Sequence, residues 1–260
     1  DSGSGSNDGT ATNMTGADIE LETPNGWGTA TNMAAGDIEG DTANGNGGTM
    51  TNMSQADIEQ EAQKYSNLSV DFDGVDDYVD LGDNNDLSFG DGSTDSPFSV
   101  SAWVKNSSAD TGAFPIIGKY DSSDKEWLLY HAGAGHNLQF TFLLYDNSSG
   151  AWIGRRDTNP VSADEWHHIV ATYSGNASSS GMKIYIDGVQ VDDADVNSGS
   201  YTAMENTGGS FKMAGGMSGI ASWYGNGNLD EVAVFSSELS AANVVTLYNN
   251  GRPTDISSLS

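Results

Sequence analysis

The sequence predicts an all-β protein: a two-sheet antiparallel sandwich from about residue 65 to 251, carrying one short C-terminal helix and preceded by a repeat segment. Three observations predict it. After residue 65, short runs of β-branched and aromatic residues recur at roughly regular spacing, separated by Gly, Asn, Asp and Ser clusters. In KIYIDGVQV the pair Asp187-Gly188 divides two apolar stretches, the strongest short-range hairpin signal. A helical period appears near the end of the chain and nowhere else.

Taken in order, the chain divides into residues 1–64, 65–251 and 252–260, the last a tail or linker. The first part is rich in Gly, Thr, Asn, Asp and Ala. It spells one unit three times: GTATNM from Gly9, GTATNM from Gly28 and GTMTNM from Gly48. Each copy alternates Thr with Ala, Met or Asn, a strand pattern, and is followed by an acidic cluster: Asp18-Ile19-Glu20, Asp37-Ile38-Glu39, Asp57-Ile58-Glu59. One copy is expected to open the sandwich as its first strand. The others need a partner, because an unpaired strand exposes a row of backbone donors and acceptors. That partner is each other, the same sheet's edge or a neighbouring subunit.

Within the sandwich, SVDFDG, DYVDL, FSVSAWVK, WLLYHA, LQFTFLLY, AWIGRR, WHHIVATY, MKIYIDG, VQV, SFKMAGG and LDEVAVF read as strands. In FSVSAWVK, Phe98, Val100, Ala102 and Val104 share one face, and Trp103 and Lys105 share the other. The helix is expected to start at Ser240 as N-cap, to carry Val244, Leu247 and Tyr248 on one face, and to stop before Gly251.

Composition restricts the function. The 37 acids against 9 bases give a formal charge of −28. Such a surface repels phosphate backbones, which argues against nucleic acid, and attracts divalent cations. Cysteine is absent, which is compatible with an extracellular domain of adequate core. No apolar run approaches the length of a membrane span. The first residue is Asp, the expected mark of a processed product or a piece of a longer chain.

SVDFDGVDDYVDLG, FSVSAWVK, EWHHIVATYSG, MKIYIDGVQV and GNLDEVAVFSSELSAANVVTLYNNG, in this order and spacing, resemble the laminin-G-like, concanavalin-A-like jelly-roll domains over about residues 65 to 251. The resemblance implies two antiparallel sheets face to face, one concave, in a carbohydrate-binding or adhesive module that often carries calcium. The opening DSGSGSNDGT resembles the first-strand stretch of such domains. The closing GRPTDISSLS and the GT-x-TNM wording resemble tandem structural proteins of marine phages.

Related glucanases of this architecture are enzymes. Their retaining mechanism needs two carboxyls about 5 Å apart, presented as E-x-D-x-E on one strand face. No strand of residues 65 to 251 carries that pattern. The nearest imitations are the repeat acids Asp18, Glu20 and Glu22; Asp37, Glu39 and Asp41; Asp57, Glu59 and Glu61, all before the sandwich. They suit calcium better, yet no copy has the glycine and distal Glu of a calcium loop, and a solvated acidic face is the alternative. No G-x-S-x-G elbow appears and no hydrolase triad is expected. His167 and His168 are adjacent on a strand and point to opposite faces, so they form no ligand pair.

Asp230 in LDEVAVF shares a face with Val232 and Val234 by alternation, which places a carboxylate at the edge of a core face. The resemblance implies a structural calcium there, held with the FDGVDD turn, where Asp73, Asp76 and Asp77 are the local candidates. The alternative is turn capping by Asp77 and Asp230. For glycan binding, Trp103, Trp127, Trp152 and the Trp223-Tyr224 pair are candidates, against the commoner role of Trp in a sandwich core. Arg155-Arg156 reads as local charge balance. The expected function is non-enzymatic: a structural or adhesive surface protein on the virion of a marine phage, as decoration or fibre, homo-oligomeric, binding calcium and polysaccharide and contacting other virion proteins. The alternative is a carbohydrate-binding module of a secreted bacterial enzyme or a cell-surface adhesin.

Overall fold

A computed structural model describes residues 8–12, 27–31, 49–51, 69–108, 112–132, 139–217, 223–249 and 251. The chain divides into two compact units, Asp1–Ser66 and Asn67–Ser260. In the first unit the three repeat copies supply strands β1 (Asp8–Thr12), β2 (Trp27–Thr31) and β3 (Thr49–Thr51). They form one parallel sheet in the order β1-β2-β3. Equivalent residues stand opposite one another: Gly9 with Gly28, Thr10 with Thr29, Thr29 with Thr49, Ala30 with Met50. Parallel neighbours need a crossover of a dozen residues or more, which the chain between successive copies supplies. The repeats therefore pair with each other. The expectation that one copy opens the sandwich is corrected, because that place belongs to β4 (Val70–Asp73). The acidic clusters after each copy lie outside the described residues.

The second unit continues with β5 (Val79–Asp80), β6 (Phe98–Asn106), β7 (Ala113–Tyr120), β8 (Lys125–Ala132), β9 (Phe140–Asp146), β10 (Ala151–Arg156) and β11 (Trp166–Tyr173). It ends with β12 (Met182–Ile186), β13 (Val189–Gln190), β14 (Ala194–Asp195), β15 (Phe211–Met213), β16 (Asn226–Phe235) and helix α1 (Ala241–Tyr248). One sheet runs β14-β10-β9-β8-β7-β15-β5, the other β13-β12-β11-β6-β16-β4. All pairings in both are antiparallel, as the sandwich expectation requires.

Period-2 alternation decides what fills the space between the sheets. From β6 come Phe98, Val100, Ala102 and Val104; from β8 and β9 come Trp127, Leu129, Phe140, Phe142 and Leu144; from β11 and β12 come Ile169, Ala171, Tyr173 and Ile184. Phe98 stacks on Phe89 at 4.1 Å and meets the rings of Trp127, Phe142 and Tyr173 edge-on or tilted. One carboxylate closes this core's rim. Asp95 accepts from Tyr173 Oη at 2.6 Å, Tyr201 Oη at 2.8 Å and the Met204 N–H at 2.8 Å.

The Asp187-Gly188 signal is realised. The two residues have φ of 52° and 79° and join Ile186 directly to its partner Val189, a two-residue turn with both central residues left-handed. Asp187 Oδ1 accepts the His168 N–H at 2.9 Å, which helps to hold this non-glycine residue at positive φ. Helix α1 starts as expected, with Ser240 Oγ accepting from the Asn243 N–H. It stops one step earlier than the glycine suggests, because Asn249 takes the left-handed cap. The helix lies on the outer face of the six-stranded sheet, where Val244, Leu247 and Leu239 pack on Val170 and Tyr185 as a second small core.

Strand β7 has no counterpart among the expected strands. Its Pro115 argues against a central strand, and the structure accommodates it at a register shift between Pro115 and Ile117.

Candidate functional site

The outer face of the seven-stranded sheet is built by the same alternation that builds the core. Trp127 and Leu129 point inward from β8, so Leu128 and Tyr130 point out. On β9 the outward residues are Thr141, Leu143 and Tyr145, and on β10 they are Trp152, Gly154 and Arg156. Register aligns them in rows. Leu128 faces Leu143 and Leu143 faces Gly154; Tyr130 faces Thr141 and Thr141 faces Arg156; Tyr145 faces Trp152. Tyr120 from β7 and Met217 join Leu128 beneath the half-buried rings of Tyr130, Tyr145 and Trp223.

Tyr120, Leu128, Thr141, Leu143 and Met217 are buried on this face, while the rings of Tyr130, Tyr145, Trp152 and Trp223 keep part of their surface. Ring centroids lie 5.2 Å apart for Tyr130–Trp223, 5.2 Å for Tyr120–Tyr145 and 6.1 Å for Tyr145–Trp152. The Lys125 ammonium sits 5.5 Å from the Tyr120 ring centre and 5.9 Å from that of Tyr145, within cation–π range. Burial raises the pKa of the Tyr145 phenol, and the neighbouring phenols of Tyr120 and Tyr130 add to the rise. Burial raises the Tyr120 phenol as well, so these two groups stay neutral donors and acceptors at physiological pH. Arg155 and Arg156 divide their tasks. Arg155 is bound to Asp192 at 2.8 Å and Asp195 at 2.6 Å. Arg156 donates from Nε to Thr141 Oγ1 at 3.1 Å and has no carboxylate partner among the described residues. The expected charge-balance role thus fits Arg155. Half-buried rings beside a phenol and a guanidinium that has no carboxylate partner among the described residues form a surface on which a sugar ring can stack and hydrogen-bond.

Of the expected aromatics, Trp152 and Trp223 lie on this face. Tyr224 pairs instead with Tyr78, 6.2 Å away. Trp127 is corrected: it is wholly enclosed in the core, and its indole N–H donates to Leu87 O at 2.9 Å. Trp103 does point away from the core, as alternation demands, but it is buried between His168 at 5.1 Å and Tyr248 of α1 at 6.0 Å. It too is corrected, since the helix covers it. Tyr120, Tyr130 and Tyr145 are not among the expected aromatics, although the outward parity of WLLYHA and LQFTFLLY signals Tyr130 and Tyr145.

The acidic candidates separate into two places. Asp73, Asp76 and Asp77 are exposed around the turn after β4, and one oxygen from each lies within 4.8 Å of the others. Asp73 Oδ1 accepts the Val75 N–H at 2.8 Å, and Asp77 Oδ2 accepts the Asp73 N–H at 3.2 Å. Asp230 is elsewhere. Asp73 pairs with Asn226, four residues before Asp230 on β16, a run of about 13 Å at strand rise. A bulge between Asp230 and Ala233, with Glu231 at φ 46°, breaks the expected alternation. Asp230 pairs with Trp103 and shares its outward side, where it accepts the Glu231 N–H at 2.9 Å. Its placement on the face of Val232 and Val234 is therefore corrected, and burial raises its pKa.

One arrangement was unexpected. Ser162 Oγ lies 3.1 Å from His167 Nε2, and His167 Nδ1 lies 2.8 Å from Asp187 Oδ2, in the order of a hydrolytic triad. Ser162, however, donates its proton to Glu165 at 2.5 Å. The hydrogen bond to Asp187 raises the His167 pKa, favouring the imidazolium, which cannot accept a serine proton. The network fastens the loop before β11 to the Asp187 turn.

The comparisons with known proteins agree with this architecture. No curated protein matches the chain in sequence. Among solved structures, it is similar to the CBM40 of the Ruminococcus gnavus IT-sialidase, bound to α2,3-sialyllactose, at 11% identity and a TM-score of 0.52, over 69% of this chain and 96% of that one. A putative carbohydrate-binding protein from Bacteroides ovatus is similar at 18% identity and a TM-score of 0.46, over 73% of this chain and 48% of that one. At 11% identity the likeness to the CBM40 is one of fold. A family model matches residues 73–245, nearly the whole sandwich. By that match the chain belongs to the laminin-G-like family of the concanavalin A-like lectin/glucanases superfamily.

Proposed function

We propose that this protein is a non-enzymatic adhesive module that binds polysaccharide on the outer face of its seven-stranded sheet. The observation that carries the reading is the set of half-buried rings of Tyr130, Trp223, Tyr145 and Trp152 beside Arg156, which has no carboxylate partner among the described residues. Sugar rings present C–H faces and hydroxyls together, which such a row meets with ring faces and polar edges. Contact on a shallow face is weak for one domain and useful when many copies act together. A multivalent setting, the surface of a phage particle carrying homo-oligomers of this chain, suits that need, and the phage-like wording of the repeats and of GRPTDISSLS supports it. A carbohydrate-binding module on a secreted bacterial enzyme or adhesin would use the same face. The test is a glycan array probed with the whole chain and with Trp152→Ala. Retention on at least one polysaccharide class, weakened in the variant, is expected; no retention on any class overturns the reading.

Calcium is proposed at Asp73, Asp76 and Asp77, whose converging oxygens fit a hard, oxygen-seeking ion. Asp230 is not part of that set. Calorimetry after chelation is expected to show the melting temperature rise when calcium is restored, and Asp76→Asn to blunt the rise. An unchanged temperature in the unmodified protein refutes the site.

A further inference from the structure

Away from the aromatic face, one side-chain cluster is arranged for chemistry of its own. Lys119 on β7 and Glu126 on β8 are both wholly enclosed. Lys119 Nζ lies 2.7 Å from Asp83 Oδ1, 2.8 Å from Ser88 Oγ, 3.2 Å from Glu126 Oε1 and 3.3 Å from Asn84 O. Sequence and register create this meeting. Lys119 pairs with Trp127 and Tyr120 with Lys125, so Glu126 is the extra residue of a bulge. The adjoining Trp127 ring packs on Phe89 and Phe211. Its N–H holds Leu87 O, anchoring the 3-10 turn Asn85–Leu87 that follows Asp83. Glu126 Oε1 accepts from the Thr207 N–H at 2.9 Å and the Thr207 hydroxyl at 3.0 Å, while Oε2 is buried with no donor.

We propose that Lys119 and Asp83 become joined by an intramolecular amide bond, with Glu126 as the group that moves the proton. The Lys119 nitrogen attacks the Asp83 carboxyl carbon. Glu126 accepts a proton from that nitrogen and returns one to the departing Asp83 oxygen. The Nζ–Cγ bond forms, one Cγ–O bond breaks and one water leaves. An ammonium and a carboxylate together contain the atoms of the amide plus that water, so no oxidant or activating group is required. Two features favour the step. Nucleophile and carboxyl are held in contact, and such fixed pairs react as though at very high concentration. Glu126 stands 3.2 Å from the nucleophile, and burial, ahead of all other causes, raises its pKa, which suits a group that carries a proton between the two. The Asp83 side chain is 40% exposed, which gives the water a way out. The bond would tie the segment after β5 to the middle of the seven-stranded sheet, a covalent brace in a chain that has no cysteine.

Intact-mass spectrometry of the unfolded full chain tests this directly. The protein is expected to be one water lighter than its sequence dictates. Tryptic digestion is expected to yield a branched peptide joining residues 65–105 to 106–125, uncut after Lys119. Lys119→Arg keeps the charge, cannot form the amide, and is expected at full mass. Glu126→Gln is expected to slow or abolish the loss. Asp83→Asn, where it reacts, is expected to lose ammonia in place of water, which separates this bond from dehydration elsewhere. Unmodified protein at full mass that yields a free peptide ending at Lys119 overturns the proposal and leaves the cluster an ion pair.

Discussion

Acid will test the packing between the six-stranded sheet and its helix through one residue, His168. The imidazole is buried, with Nε2 at 2.9 Å from Ser101 Oγ and no partner on Nδ1. Trp103 and Tyr248 lie beside it, and the one charge that favours its protonation is Asp187. Burial dominates and lowers the pKa from 6.5 to about 4. The folded protein therefore excludes a proton that the unfolded chain accepts. Stability from this group is complete above the unfolded pKa and is lost as pH falls from 6.5 towards 4. At about 1.4 kcal/mol per pKa unit the loss is about 3 kcal/mol at pH 4. Other groups titrate in the same range, so the assay is a difference. Urea unfolding of the native protein and of His168→Phe would be followed from about pH 7 to about pH 4, the phenyl ring keeping the stack between Trp103 and Tyr248. Loss of the Ser101 hydrogen bond shifts the variant by a constant. The native protein should lose about 3 kcal/mol relative to the variant across the window. Parallel curves would show that protonation is accommodated in place, and the argument from burial would fail.

Further outcomes follow from other sites. Asp95→Ala strands Tyr173 Oη, Tyr201 Oη and the Met204 N–H at the edge of the core; a loss of about 3 kcal/mol in chemical unfolding is expected. Trp152→Ala should weaken polysaccharide retention roughly tenfold, about 1.4 kcal/mol, with little change in melting temperature. Trp103→Ala, beneath the helix, should do the reverse and cost about 3 kcal/mol of stability. Thr29→Pro places a residue without an N–H in the middle strand of the repeat sheet; amide exchange over residues 8–12 and 49–51 should rise above that of the parent chain.

The sandwich was legible because its signals are local. Alternation in FSVSAWVK placed Phe98, Val100, Ala102 and Val104 on the core face and Trp103 on the other, and Asp187-Gly188 marked a turn that needs positive φ at both positions. The failures share a cause. Pro115 hid β7, since the bulge that tolerates it depends on the neighbouring strand. The bulge after Asp230 inverted a parity that counting residues cannot detect. The repeats announced strands, but pairing is a relation between segments, so their wording could not say whether the partner was the sandwich or another copy.

The aromatic candidates show most sharply what alternation can and cannot decide. Trp103 and Trp152 both stand on outward faces by the rule of twos, yet they end in different environments. The segment after β16 folds back over the six-stranded sheet, with Ser99 Oγ bonding Ser237 O and the Leu239 N–H at 2.9 Å each, and lays Tyr248 against Trp103. That Trp becomes part of a second core. Trp152 keeps part of its surface beside Tyr145. Parity selects the face; what covers the face depends on where a later segment of the chain returns. Aromatic surface that remains half open beside Arg156, a guanidinium with no carboxylate partner among the described residues, is the surplus that packing does not explain, and that surplus, more than the number of tryptophans, is where binding should be sought.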